Sequence, residues 1–252
     1  MHLILKVENL TRVFSRRGQP ELTAVDHVSF ELHPGECLGL IGESGSGKTT
    51  LVNMITRLLD PTDGRVMLDG TDITALRGRP LRDCFRRMQM VFQTPAESFD
   101  PRRTLGDGIG ESLRNSGMNR AETRAEVARL LKRCGLPETF AARYPHQVSG
   151  GQCQRAAIAR ALAVRPNLLI CDEATSALDV TVQKEIIGLF RTLRAEENLS
   201  ILFICHDIAL VQQFCDRVLV LCRGRIVEEG APDDVIQHPR DPYTQRLIDS
   251  VL

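Results

Sequence analysis

Gly42-Glu43-Ser44-Gly45-Ser46-Gly47-Lys48-Thr49 places glycines, a lysine and a hydroxyl residue at the spacing G-x-x-x-x-G-K-[ST], and that spacing suits phosphate chemistry. Glycines allow successive backbone N–H groups to turn inward around phosphate oxygens that side chains would obstruct. Lys48 is placed to reach the β- and γ-phosphates, and the Thr49 hydroxyl to ligate Mg²⁺. Ser44, Gly45, Ser46 and Thr50 complete the set expected against the nucleotide. The chain has only four lysines against 28 arginines, and one of the four stands where a compact ammonium fits a phosphate. A nucleoside triphosphate site is predicted.

Two further stretches could share that chemistry. Leu168-Leu169-Ile170-Cys171-Asp172-Glu173 is an apolar run ending in two carboxylates, and side chains at the C-terminal end of a parallel strand face the ligand crevice. Asp172 can enter a Mg²⁺ shell, and Glu173 can polarise a water for attack on the γ-phosphate. An Asp-Glu pair alone would be read as a capped strand end; beside a phosphate loop the catalytic reading is favoured. Val148-Ser149-Gly150-Gly151-Gln152 precedes a run in which Ala157, Ile158, Ala161 and Leu162 share a helix face. Ser149 is placed as an N-cap, and the two glycines leave N–H groups open to a second anion.

These groups need a scaffold, and the hydrophobic pattern supplies one. Cys37-Leu38-Gly39-Leu40-Ile41 before the loop is of buried-strand type, and Leu51, Met54, Ile55, Leu58 and Leu59 after it predict one apolar face of a helix. Leu5–Glu8 and Val66–Asp69 alternate apolar with polar, as half-exposed antiparallel strands do, and Asp69-Gly70 is a turn signal. From about 95 to about 165 the pattern turns helical; Asn119 with Glu122 forms a capping box, Val127, Leu130, Leu131 and Cys134 a stripe, and Gly135 a stop. Ile201–Cys205 is another apolar run, and Val182, Ile186, Leu189 and Leu193 mark a helix before it. Strands alternating with helices predict an α/β core with a largely parallel sheet. The 252 residues are expected to form a single domain with a helical block inserted at about 95–165.

Composition narrows the class of partner. Formal net charge is zero, which argues against nucleic acid. Arg77, Arg79, Arg82, Arg86 and Arg87 cluster locally and are read as a solvated or partner-facing surface. No apolar run reaches the roughly 18 residues that cross a bilayer, and the first six residues do not resemble a signal peptide. The expected location is therefore intracellular, on a membrane only through a partner. The eight cysteines show no C-x-x-C pair or zinc spacing and are expected to be free thiols acting as small hydrophobes.

Together these residues resemble the ATPase subunit of an ATP-binding-cassette (ABC) transporter over nearly the whole chain. Val148–Gln152 is similar to the family signature LSGGQ, with Val for Leu; Val91-Phe92-Gln93 resembles the Q-loop, Ser176-Ala177-Leu178-Asp179 the D-loop, and His206 the switch histidine. Phe14 matches the aromatic that stacks on adenine. The resemblance implies a P-loop NTPase core with an antiparallel β subdomain and an inserted helical subdomain. It implies ATP and Mg²⁺ as ligands, with Gln93 reaching the metal and, with His206, Lys48 and Glu173, serving catalysis. It also implies a head-to-tail dimer in which Ser149, Gly150, Gly151 and Gln152 of one subunit, helped by Asp179, close on the nucleotide of the other. Thr94 stands where Asp is frequent.

Within the family, Phe92–Arg102 and His238-Pro239-Arg240-Asp241-Pro242-Tyr243-Thr244 resemble stretches of importers for dipeptides, oligopeptides and nickel. That subgroup implies a second, non-identical ATPase subunit, two permeases, an extracytoplasmic substrate-binding protein, and a place on the cytoplasmic face of the membrane. A soluble cassette acting on DNA or ribosomes, and a small-molecule kinase, are the competing classes. The first would carry long coiled coils or a second cassette, and the second has no use for the signature or His206.

Overall fold

A computed structural model describes residues 2–15, 18, 20–174 and 179–250. In chain order, strands β1 (Leu5–Phe14), β2 (Leu22–Leu32) and β3 (Cys37–Ile41) lead to helix α1 (Lys48–Ile55). There follow β4 (Asp63–Leu68), β5 (Thr71–Asp72), α2 (Gly78–Cys84) and β6 (Met88–Val91). Helices α3 (Leu105–Asn115), α4 (Arg120–Arg133) and α5 (Gly150–Leu162) come next, then β7 (Leu168–Asp172), α6 (Val180–Glu197), β8 (Ser200–Ile204) and α7 (Ile208–Phe214). The hairpin β9 (Arg217–Cys222) and β10 (Arg225–Gly230) precedes α8 (Pro232–Gln237) and α9 (Pro242–Asp249).

Two sheets result. One is antiparallel, in the order β2-β1-β4-β5; the other runs β10-β9-β3-β8-β7-β6, parallel except for β10. Side chains of the central parallel strands point alternately to two cores. Leu38, Leu40, Ile170, Leu202 and Ile204 pack with α1 and the antiparallel sheet. Cys37, Ile41, Cys171, Ile201 and Phe203 pack with helices α3 to α9 on the other face. The strand that carries the phosphate loop, β3, is therefore walled in on both faces.

Several local signals act as their chemistry dictates. Asp69 (φ 48°) and Gly70 (φ 73°) make the tight turn between β4 and β5, since both central residues of such a hairpin need positive φ. Asn119 and Glu122 close a reciprocal capping box on α4, leaving two fewer orphan N–H groups at its start. The helix after the phosphate loop is shorter than its apolar spacing predicts. It ends at Ile55, because Arg57 adopts φ 59° and buries its guanidinium, donating from Nε to the Ile73 carbonyl at 3.1 Å. Leu58 is consequently outside the helix and 64% exposed.

The cysteines are free thiols and all but Cys222 are buried. Burial pushes the Cys134 and Cys205 thiols up to about 12, and the Cys153 thiol to about 11, so these act as apolar filling. Among the basic cluster, Arg77 pairs with Asp60 at 2.7 Å and Arg87 with Asp69 at 3.6 Å, while Arg79, Arg82 and Arg86 are solvent-exposed. Among the described residues no helix is long and apolar enough to cross a membrane.

Candidate functional site

The turn from β3 into α1 is tightly confined. A Cβ on Gly42 (φ 154°) would lie 2.3 Å from the Leu221 carbonyl oxygen, and one on Gly47 (φ 108°) 2.4 Å from that of Ala24. Any side chain at either position would push the loop out of its seat between β9 and β2. Gly224, in the β9–β10 turn, donates its N–H to the Ser46 carbonyl at 2.8 Å and braces the loop from outside. Lys48 is buried, and its ammonium donates to the carbonyls of Gly42 at 2.6 Å and Glu43 at 2.9 Å. The Ser46 hydroxyl is buried with no hydrogen-bond partner among the described residues.

Beside this loop lies a cavity of about 570 Å³ lined by Phe14, Thr23, Ser44, Gly45, Gly47, Lys48, Thr49, Thr50, Glu173 and Arg223, among others. Phe14 comes from the end of β1, and the Arg12 guanidinium sits over its ring, 4.7 Å from the centroid. The cavity is thus lined by an aromatic ring, a phosphate-type loop and a carboxylate. Burial lowers the pKa of Lys48, with the Glu173, Asp172 and Glu43 carboxylates opposing that shift. Burial raises the pKa of Asp172, the neighbouring Glu173 charge adds to the rise, and Lys48 opposes it.

Glu173 is where separate elements converge. It follows β7 in a left-handed conformation (φ 47°), with its N–H fixed on the Ile204 carbonyl of β8 at 3.0 Å. The side-chain amide of Gln93, just past β6, donates to Glu173 Oε2 at 2.8 Å. His206 Nδ1, just past β8, lies 3.8 Å from the same oxygen. Ends of three adjacent parallel strands therefore deliver an amide, a carboxylate and an imidazole to one point beside Lys48, as the crevice rule for such sheets requires.

The signature residues lie apart from this cavity. Ser149 caps α5 in a reciprocal box with Gln152: its hydroxyl accepts from the Gln152 N–H at 3.3 Å, and Gln152 Oε1 accepts from the Ser149 N–H at 3.0 Å. Ser149 and Gly150 are exposed. Gly151 packs on α6, where an added Cβ would come 2.6 Å from a Val182 methyl. Asp179 caps α6, accepting from the Val182 N–H at 3.0 Å. Ser176, Ala177 and Leu178 lie outside the described residues.

A metal ion here would need oxygen donors. Among the described residues no group of three or more His, Cys, Asp or Glu side chains could hold an ion alone. Mg²⁺ characteristically takes one or two protein ligands and completes its shell from phosphates and water. Thr49, exposed at the cavity, and Asp172, whose half-buried carboxyl has the Lys48 ammonium as its nearby positive charge among the described residues, fit that donor set.

Two site features were not read from the sequence. Arg223 lines the cavity from the β9–β10 turn, and Tyr243 touches the loop from α9. The Arg-Gly turn is a visible signal, but nothing local reveals that β9 pairs with β3. A second concavity, about 260 Å³, lies between α5 and the β6 region and is lined by Leu58, Phe85, Met88, Met90, Phe92 and Arg160, among others.

A family model described as ABC transporter matches residues 25–176. A "probable peptide ABC transporter ATP-binding protein" of Sinorhizobium fredii is 46% identical over 97% of this chain and 71% of its own length. The dipeptide transport ATP-binding protein DppF of Lactococcus lactis is 40% identical over 98% of this chain and 81% of its own length. Among solved structures, cbiO1 of Clostridium perfringens, part of the ABC transporter complex cbiONQ, superposes with a TM-score of 0.83 at 29% identity, covering 94% of this chain and 92% of that one. The cassette MJ0796, in a dimeric post-hydrolysis state bound to ADP and Pi, superposes with a TM-score of 0.81 at 32% identity, covering 90% and 98%.

Proposed function

The chain belongs to the ABC transporter family and is an ATP-binding, ATP-hydrolysing subunit, and we propose that it powers the uptake of short peptides. The observation that carries the catalytic part is the meeting of Gln93, Glu173 and His206 beside the phosphate loop. The peptide part is supported by the names of its relatives and by the Phe92–Arg102 and Pro242-Tyr243-Thr244 stretches. Nickel or a metal chelate, the other cargo class those stretches resemble, forms the second arm of the test.

In this reading the loop amides of Ser44, Gly45, Ser46 and Gly47 and the Lys48 ammonium receive the phosphates, and Phe14 offers its ring to adenine. Thr49, Asp172 and Gln93 are the residues that would hold Mg²⁺, which when bound would supply neutralisation of charge on the phosphate oxygens. Glu173 accepts the proton of the attacking water, held in place by the Gln93 amide and its own bond to β8. His206, close to the same carboxylate, positions that water and the γ-phosphate. Ser149, Gly150, Gly151 and Gln152 stand apart from the cavity of their own chain, which supports their use in a partner subunit's site, with Asp179 beside them in a head-to-tail dimer.

The exposed Leu58 and Phe92 beside the second concavity offer a seat for a loop of a permease. A non-identical second ATPase, two permeases and an extracytoplasmic binding protein complete the proposed importer, with this subunit on the cytoplasmic face of the membrane.

Two measurements test the reading. Glu173→Gln keeps the shape of the base but cannot take a proton, so ATP binding should persist while turnover falls by about 10²–10⁴, the usual cost of a lost general base. Near-wild-type hydrolysis would sink the assignment. Cells lacking the gene should lose uptake of labelled di- or tripeptide; loss of nickel uptake instead would move the cargo to the metal class, and loss of neither would defeat the importer subgroup.

A further inference from the structure

Tyr243 lies 200 residues from the phosphate loop in sequence, yet its hydroxyl oxygen accepts a hydrogen bond from the Glu43 N–H at 2.9 Å. That N–H and the Gly42 carbonyl belong to one peptide group. The carbonyl end accepts from Lys48 Nζ at 2.6 Å, so Tyr243 and Lys48 hold opposite ends of a single planar unit. Because the unit is planar, fixing its N–H fixes where its carbonyl points, and hence where the ammonium rests. Hydrogen bonds at the two ends of such a unit also polarise and strengthen one another. Gly42, with φ 154° and no Cβ, imposes little rotational restraint of its own on this peptide.

Tyr243 is itself firmly placed. Asp241 caps α9 by accepting from the Tyr243 N–H at 2.7 Å, and Glu228 of β10 accepts from the N–H groups of Arg240 at 2.9 Å and Asp241 at 3.1 Å. Behind it Thr244, Leu247 and Ile248 are buried. Burial raises the Tyr243 pKa, only partly offset by the Glu43 amide, so the hydroxyl is neutral at physiological pH. Its ring and the loop residues Ser44, Gly45 and Ser46 share the wall of one polar cavity of about 510 Å³.

We propose that Tyr243 is a positioning residue for nucleotide binding: it locks the Gly42–Glu43 peptide so that Lys48 and the loop amides stand ready for phosphate. This rests on the nucleotide-binding reading of the loop. It assigns to the Pro-Tyr-Thr tail a task at the ATP site, carried out through the backbone and without contact with ATP.

The test is Tyr243→Phe in the full chain, which removes one oxygen and keeps the packing. The dissociation constants of ATP and ADP should rise together, by about 2- to 10-fold for the loss of one neutral hydrogen bond. Amide exchange at Glu43 should accelerate, and the melting temperature should fall by no more than about 2–4 °C, the shift one such bond gives in a chain of this size. Unchanged affinities for both nucleotides would overturn the proposal, as would unaltered exchange at Glu43 or an affinity loss that merely follows a larger fall in melting temperature. Failure of the wild-type chain to bind either nucleotide would instead overturn the reading of the loop.

Discussion

Lys48 and Glu173 line the same cavity, and because the proposed mechanism gives them different tasks their variants should fail differently. Lys48→Ala removes the cation proposed to meet the β/γ-phosphates and should weaken ATP binding itself. His206→Ala should still bind ATP and hydrolyse it poorly, because the proposed mechanism uses the imidazole beside Glu173 in the step and not in docking. Equilibrium binding measured beside turnover separates the two, and full activity in both would overturn the map. Phe14→Ala should raise the ATP dissociation constant about 5- to 150-fold, since base–aromatic stacking contributes about 1–3 kcal/mol; an unchanged constant would return Phe14 to a packing role. At this scale legibility depended on chain distance. Lys48 and Thr49 sit beside the glycines that explain them, whereas Arg223 and Tyr243 reach the loop only after the sheet has folded.

Elements were legible where their ends carry chemistry. The capping boxes at Asn119 and Ser149 and the Asp69-Gly70 turn each declare a boundary through hydrogen-bonding groups adjacent in sequence. The stop of α1 at Ile55 was hidden, because it is set by Arg57 reaching the Ile73 carbonyl, a tertiary contact that overrides an unbroken apolar period. Gly151 has a similarly remote cause, since it is the neighbouring Val182 on α6 that leaves no room for a side chain. Gly151→Ala should therefore displace the start of α5 from α6 and spoil the signature surface while the cavity beside Lys48 survives. The expected outcome is normal ATP binding by the isolated chain, with ATP-dependent dimerisation lost in a Glu173→Gln background. Sizing by light scattering would show it, and an intact dimer would refute the account.

At the scale of the whole molecule, the α/β class and largely parallel sheet follow from the alternation of apolar runs with helical periods, but strand order does not. All five residues of β3 and of β8 are buried, so each reads as a featureless apolar run and neither names its neighbour. The surface is more specific. Phe92 and Leu58 remain exposed beside the second concavity, where the proposed permease contact falls. Phe92→Asp should leave the isolated chain folded and able to bind ATP while abolishing co-purification with its permeases. Undiminished co-purification would move the permease contact elsewhere.

The position of β3 also bears on how the chain is made. Its neighbours are β8 and β9, joined through pairs such as Leu38 with Leu202 and Leu38 with Arg217. The strand that carries the phosphate loop thus leaves the ribosome about 160 residues ahead of its first sheet partner. At translation rates of about 5–20 residues per second, that is roughly 10–30 s during which a fully apolar strand has no ladder to join. Over that interval the ATP site cannot exist, and the cover within reach of β3 is the early antiparallel sheet, whose core Leu38 and Leu40 share.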